Sequence, residues 1–283
     1  MLPTLIVVFR EVLEASMVIG IVLAATRGVP DRVRWVAAGT GAGVLGALLV
    51  AAFAGEISSL MHGSGQELFN AAVLLAAVAM LGWHNVWMSR HGRELAADAT
   101  RIGKEVLEGS RPMHALALVC GVTLLREGSE VVLFLSGIAM AGDVTPGTML
   151  LGGALGLLCG AAVGAALYYG LAAIPMRHLF RVTSILLLLL AAGLASQAGA
   201  FLAAANVLPS LGEALWDTSA VLAERSVLGE LLHVLAGYTA RPEGIQLVFY
   251  VTTLVVIGSF MRFVRASNRP KPSLSRSHVT EVR

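Results

Sequence analysis

The chain has 283 residues, of which 57% are hydrophobic and only 13% charged, with a formal net charge of +2. Soluble domains carry about 25% charged residues, so this composition excludes an ordinary water-soluble enzyme and a basic nucleic-acid-binding module. It points to a helical membrane protein, because apolar runs of about 20 residues are the length that crosses a bilayer core of about 30 Å.

Seven such runs are predicted, at residues 2–26, 35–55, 68–88, 113–141, 147–174, 180–204 and 244–264. The first contains Arg10-Glu11-Val12-Leu13-Glu14. No basic residue precedes Arg10 and charges interrupt the apolar stretch, so the segment reads as a retained helix rather than a cleaved signal peptide. The second carries Gly39, Gly41, Gly43 and Gly46, a face suited to close helix packing. The third ends on Trp83-His84-Asn85-Val86-Trp87, which reads as an aromatic belt with His84 and Asn85 anchored at the interface. The connector 89–112 mixes both charge signs with spaced apolar residues (Leu95, Ala99, Ile102, Val106) and reads as an amphipathic surface helix or a solvated linker.

The fourth run contains Arg126-Glu127-Gly128-Ser129-Glu130, a second copy of Arg-Glu-x-x-Glu, 116 residues after the first. The fifth repeats the small-residue pattern at Gly152, Gly153, Gly156 and Gly160. Within the sixth, Gln197 reads chiefly as an interhelical hydrogen-bonding group. Cys120 and Cys159 have neither metal-ligand spacing nor a disulfide framework and read as small core residues. Met17 and Met140 share the motif faces and read as packing. Residues 205–243 form a long acidic loop in which Glu213 and Asp217 are candidates for gathering cations. A tail at 265–283, with Pro270, Pro272 and several Ser and Arg, reads as disordered.

Sixteen of the twenty Arg and Lys follow spans one, three, five and seven, from Arg27 to Arg283, and only Arg225 and Arg241 lie in the opposite loops. By the positive-inside rule this predicts a multi-pass protein of the cytoplasmic membrane, with the N-terminus outside and the C-terminus in the cytoplasm. Two units of three helices, about 1–88 and 113–204, then enter the bilayer in opposite senses. The predicted fold is all-α, with two inverted three-helix repeats plus a seventh helix, and transporters of that plan hold their sites near the midplane at the repeat interface. Glu14 lies about 18 Å from the outer end of its helix at 1.5 Å per residue, which is mid-depth.

On a helix the residues Arg10, Glu14 and Glu11 project at about 0°, 40° and 100°, and Arg126, Glu130 and Glu127 do the same. Four carboxylates against two guanidinium groups leave an excess of two negative charges, which a cation would neutralise. Carboxylate oxygens suit hard or borderline metals, and each Arg can orient a neighbouring carboxylate. A single charge at mid-bilayer costs about 2.5–3.5 kcal/mol on insertion scales, so two matched clusters read as a site rather than as register-fixing ion pairs or a proton relay.

This double motif in the first and fourth of seven helices resembles the high-affinity iron permease family, with its bacterial elemental-ferrous-uptake members most alike. Leu215-Trp216-Asp217-Thr218-Ser219 and the run from Gly237 to Leu247 are similar to the last loop and final helix of those permeases. The resemblance implies import of ferrous or ferric iron, with Glu11, Glu14, Glu127 and Glu130 as metal ligands and Arg10 and Arg126 orienting them. It also implies periplasmic iron-binding or oxidase partner proteins besides the lipid bilayer, iron as substrate rather than cofactor, and no enzymatic activity. Val12 stands where the family has glycine, a difference expected to concern packing. Two alternatives remain open: a permease for another divalent metal such as lead or manganese, and a structural membrane subunit of an oxidoreductase. An intramembrane enzyme would need a nucleophile–base pair or a His-Glu-x-x-His motif, and the sequence offers neither.

Overall fold

The computed structural model describes residues 1–60, 65–141, 145–170, 176–212, 214–222, 226, 229, 232–233 and 237–267, with backbone alone at 55–60, 88–93, 95, 176–179 and 264–267. The described residues form seven long helices and no strand: α1 (Leu2–Ala25), α2 (Arg32–Leu60), α3 (Gln66–Leu107), α4 (His114–Met140), α5 (Pro146–Tyr168), α6 (Met176–Ala204) and α7 (Gly244–Ser267). Stretches of α2, α3, α5, α6 and α7 are long and apolar enough to cross a bilayer. α1 and α4 have 24 and 27 residues, also sufficient in length, and each carries the three charges of its motif near its middle. The expected spans thus coincide with helices. The largest difference is α3, whose 42 residues run on without a break through the connector.

That extension is amphipathic and packed, not a free linker. Its Ala99 and Val106 are buried with Val22 of α1, Val36 of α2 and Leu116 and Cys120 of α4. Of the tail, residues 265–267 belong to α7, and 268–283 lie outside the described residues.

Helix pairing follows the glycines. Gly156 of α5 sits so close to α1 that a Cβ there would lie 2.7 Å from the Leu5 carbonyl, and one at Gly160 would lie 2.9 Å from that of Phe9. The contacts advance together along both helices, from Gly152 against Met1 to Gly164 against Ser16, so α1 and α5 run parallel. In the same way Gly39 meets Ala117, Gly43 meets Gly121 and Gly46 meets Leu125, so α2 runs parallel to α4. Small residues let backbones approach where lipid supplies no hydrophobic drive for helix association. Gly41 and Gly153 take no part, with open space or a distant methyl at their Cβ positions.

The strongest associations are α1 with α5, α2 with α4 and α3 with α6, while α1 also meets α4. Exchanging α1–α3 with α4–α6 maps this pairing onto itself. The short turn after α1 reverses the chain into α2, so α4, parallel to α2, is antiparallel to α1. Leu45, Leu48, Leu49 and Phe53 of α2 and Leu150, Leu151, Leu157 and Leu158 of α5 point outward and are exposed, as lipid-facing side chains would be. The interior is built from α1, α3, α4 and α6 around Val7, Leu74, Leu81, Phe134, Leu187 and Leu194. Cys120 is buried as expected, but Cys159 is exposed on α5 and is not a core residue, because the glycine face of that helix, not its cysteine, turns inward.

Candidate metal centre

The antiparallel crossing of α1 and α4 brings the two motifs together in the middle of the molecule. Arg10, Glu11, Glu14, Glu127 and Glu130 are all buried. One ligand atom each from Glu11, His84, Glu127 and Glu130 lies within 4.8 Å of the others. The i, i+4 spacing of each motif lets its arginine hold its last glutamate: Arg10 Nε is 2.9 Å from Glu14 Oε1, and Arg126 Nε is 3.1 Å from Glu130 Oε1.

The two halves are nonetheless unlike. The Arg10 side chain is 2% exposed, whereas that of Arg126 is 33% exposed. Arg126 stacks over the Trp87 ring at 4.2 Å, a cation–π contact worth about 0.5–1 kcal/mol at exposed sites. The second residue after each Arg also differs for a packing reason. Val12 lies against Gly160 of α5, where an added Cβ would come within 3.0 Å of it, and Gly128 lies against Ala47 of α2, where an added Cβ would come within 2.5 Å. Bulk and glycine have changed sides between the two interfaces.

His84 overturns the interfacial reading. It is 2% exposed and sits between the motifs, Nδ1 against the Glu130 carboxylate and Nε2 3.5 Å from Glu14 Oε2 and 3.8 Å from Glu11 Oε2. Asn85 is buried beside it and donates from Nδ2 to the Ser184 carbonyl of α6 at 2.9 Å, tying α3 to α6. Trp83 is exposed and Trp87 half-buried under Arg126; both lie within a turn of His84, at the level of the motifs rather than at an interface. The deciding feature is structural: α3 continues as a helix well past His84, which places that residue inside the element rather than at its end.

Both carboxylate oxygens of Glu11, Oε2 of Glu14 and Oε2 of Glu127 are buried without a hydrogen bond. The His84 ring faces these carboxylates with both nitrogens, Nδ1 toward Glu130 and Nε2 toward Glu14. Buried polar groups in native proteins nearly always have partners, and an unpaired buried carboxylate is costly. A converging set of buried carboxylate oxygens around one imidazole, several without a hydrogen bond, is what a cation of N/O preference would complete.

The remaining expectations fall away from this centre. Glu213 lies outside the described residues. Asp217 is exposed, with its carboxylate already engaged: it accepts from the Ser219 hydroxyl at 2.5 Å, meets Arg241 Nη2 at 2.8 Å and accepts from the Ser219 backbone N–H at 2.9 Å. These contacts hold its pKa down at about 2. Together with Leu215 N–H donating to Pro242 O and Thr218 N–H to Ala240 O, they fasten the two runs of the 205–243 loop to each other. Gln197 has no hydrogen-bond partner among the described residues and lines a cavity. Met140 packs against the interior cluster.

Residues 1–266 match the iron permease FTR1 family. Curated relatives include a ferrous iron permease EfeU of Escherichia coli O6:H1, 30% identical over 259 residues that cover 88% of this chain and 91% of that protein. Another is the ferrous iron permease EfeU of Yersinia pestis, 28% identical over 254 residues, covering 88% and 89% respectively. No solved structure matches the chain significantly.

Proposed function

This chain belongs to the iron permease FTR1 family, and we propose that it imports ferrous iron through the centre between α1, α3 and α4. The observation that carries the reading is the buried, converging ligand set of Glu11, Glu127, Glu130 and His84, in which the Glu11 oxygens and one of Glu127 have no hydrogen bond. A purely carboxylate site would suit hard ferric iron equally well. An imidazole nitrogen among the carboxylates shifts the preference toward borderline divalent ions such as ferrous iron.

Two inverted repeats, α1–α3 and α4–α6, supply one motif each, and the Arg and Lys bias puts the 205–243 loop outside. Iron arriving from that side would shed water and exchange it for Glu11, Glu127, Glu130 and His84. Glu14, held by Arg10, adds negative field and stands ready as a further ligand during passage. Arg10 and Arg126 keep the cluster from carrying four uncompensated charges, so that the ion is not held too tightly to leave. Rocking of one repeat against the other, the usual device of such folds, would then open the inner side.

Another borderline divalent metal, such as manganese, is the second reading, since the same donors accept it. Uptake of radioactive iron into proteoliposomes, with and without reductant, tests the first. Reductant-dependent uptake is expected, abolished by Glu11→Gln or Glu130→Gln and reduced at least tenfold by His84→Leu, in protein that still elutes as a folded species. Equal uptake without reductant would remove the ferrous assignment. Normal uptake by the carboxylate variants would remove the site.

A further inference from the structure

A second polar constellation lies off the centre. A cavity of about 50 Å³ is lined by Pro3 of α1, Ile138 and Ala141 of α4, Gly193, Ser196 and Gln197 of α6, and His233 of the 205–243 loop. Pro3 lies eight residues before Glu11, and Ile138 lies eight residues after Glu130. Because α1 and α4 are antiparallel, both distances run the same way, about 12 Å at 1.5 Å per residue. The cavity is therefore displaced from the centre toward the 205–243 loop, along the line of the two motif helices.

The loop is held against α6 there by a close backbone approach. Gly237 has φ +67°, and a Cβ on it would come within 2.7 Å of the Gly193 Cα; both features require glycine. This seating brings the Tyr238 carbonyl to 2.6 Å from His233 Nδ1. A carbonyl only accepts, so Nδ1 carries the proton and Nε2 remains as the ring's ligand atom. Metal-binding histidines are oriented in this way, one ring N–H given to a carbonyl and the other nitrogen given to the ion. Nε2 has no hydrogen-bond partner among the described residues, and neither has the amide of Gln197, which lines the same cavity.

We propose that His233 and Gln197 form a docking site at the outer mouth for a partly hydrated divalent first-row cation, the step before the carboxylate centre. A water needs about 10–15 Å³ of such space, so the cavity of about 50 Å³ holds about three to five water-sized particles. That is room for an ion with part of its shell, not for a fully hydrated one. His233 Nε2 and the Gln197 amide oxygen, with the Ser196 hydroxyl beside them, would replace part of that shell. Only two or three neutral donors are offered, so the ion is held weakly and passes on to the carboxylates. The orientation of this site rests on the import reading above; its existence does not.

His233→Asn separates the outcomes, because the Asn amide nitrogen can still donate to the Tyr238 carbonyl while no ring Nε2 remains. Cobaltous ion, titrated into the detergent-purified full chain and followed by its visible absorption, should occupy two sites in the wild type and one in His233→Asn or Gln197→Leu. In proteoliposomes the same variants should raise KM for ferrous iron about tenfold, the scale on which supporting groups act on metal affinity, and leave the maximal rate within about twofold. Unchanged stoichiometry or unchanged KM in His233→Asn would overturn the proposal. Absence of iron uptake in the wild type would refute the import reading instead, and the cobalt stoichiometry would still decide whether His233 binds a cation.

Discussion

Two motifs of the same pattern should tolerate the loss of their arginines very differently. Removing one partner of a buried ion pair strands the other charge and costs about 3–5 kcal/mol. Arg10 and Glu14 are 2% and 3% exposed, so Arg10→Gln falls in that range. Arg126 is 33% exposed, and water screens what it leaves behind. Its loss should cost about 1 kcal/mol for the pair, with roughly another 0.5 kcal/mol for the contact with Trp87. For a chain of this size about 1 kcal/mol moves the midpoint by about 2–4 °C. Thermal unfolding in detergent should therefore show Arg10→Gln lowered by about 6–20 °C and Arg126→Gln by about 3–6 °C. The double variant Arg10→Gln/Glu14→Gln should recover more than half of the first loss, since no buried charge is then left alone. Equal shifts for the two arginines, or a double variant no better than Arg10→Gln, would refute the reasoning from burial.

The two packing interfaces predict a rescue. Gly128→Val should drive α4 off Ala47 and reduce both stability and uptake, by about 1–3 kcal/mol as overpacking does, and Ala47→Gly on the same chain should restore most of both, read by unfolding midpoint and transport. The loop ion pair predicts a pH response of definite sign. The Asp217 pKa is depressed to about 2, so its contribution to loop order is full above the ordinary carboxylate range and is lost as pH falls toward 2. The fluorescence of the neighbouring Trp216 should be flat from neutral pH down to about 4 and change below that, and the change should vanish in Asp217→Asn.

What can be read from the sequence is whatever follows from one-dimensional spacing and from the cost of placing charge in an apolar medium. The all-helical membrane class, the place of the long helices and the two Arg-Glu-x-x-Glu clusters belong to that class, because length and periodicity act locally. The glycine faces of α2 and α5 were legible as packing faces too. Their partners were not: which helix Gly39 or Gly156 meets depends on the register of two backbones brought together from distant parts of the chain.

His84 is the clearest case of what only the tertiary structure decided. Beside two tryptophans near the expected end of a span, its local sequence reads as an interface. It becomes a neighbour of Glu11, Glu14 and Glu130 because α3 runs on unbroken to Leu107 and packs between α1 and α4. The difference between Arg10 and Arg126 has the same origin. Identical spacing gives identical contacts along each helix, but exposure is set by what packs across it, and the fold encloses Arg10 while leaving Arg126 partly open against the Trp87 ring. Burial is a property of pairs of elements, and no single segment carries it.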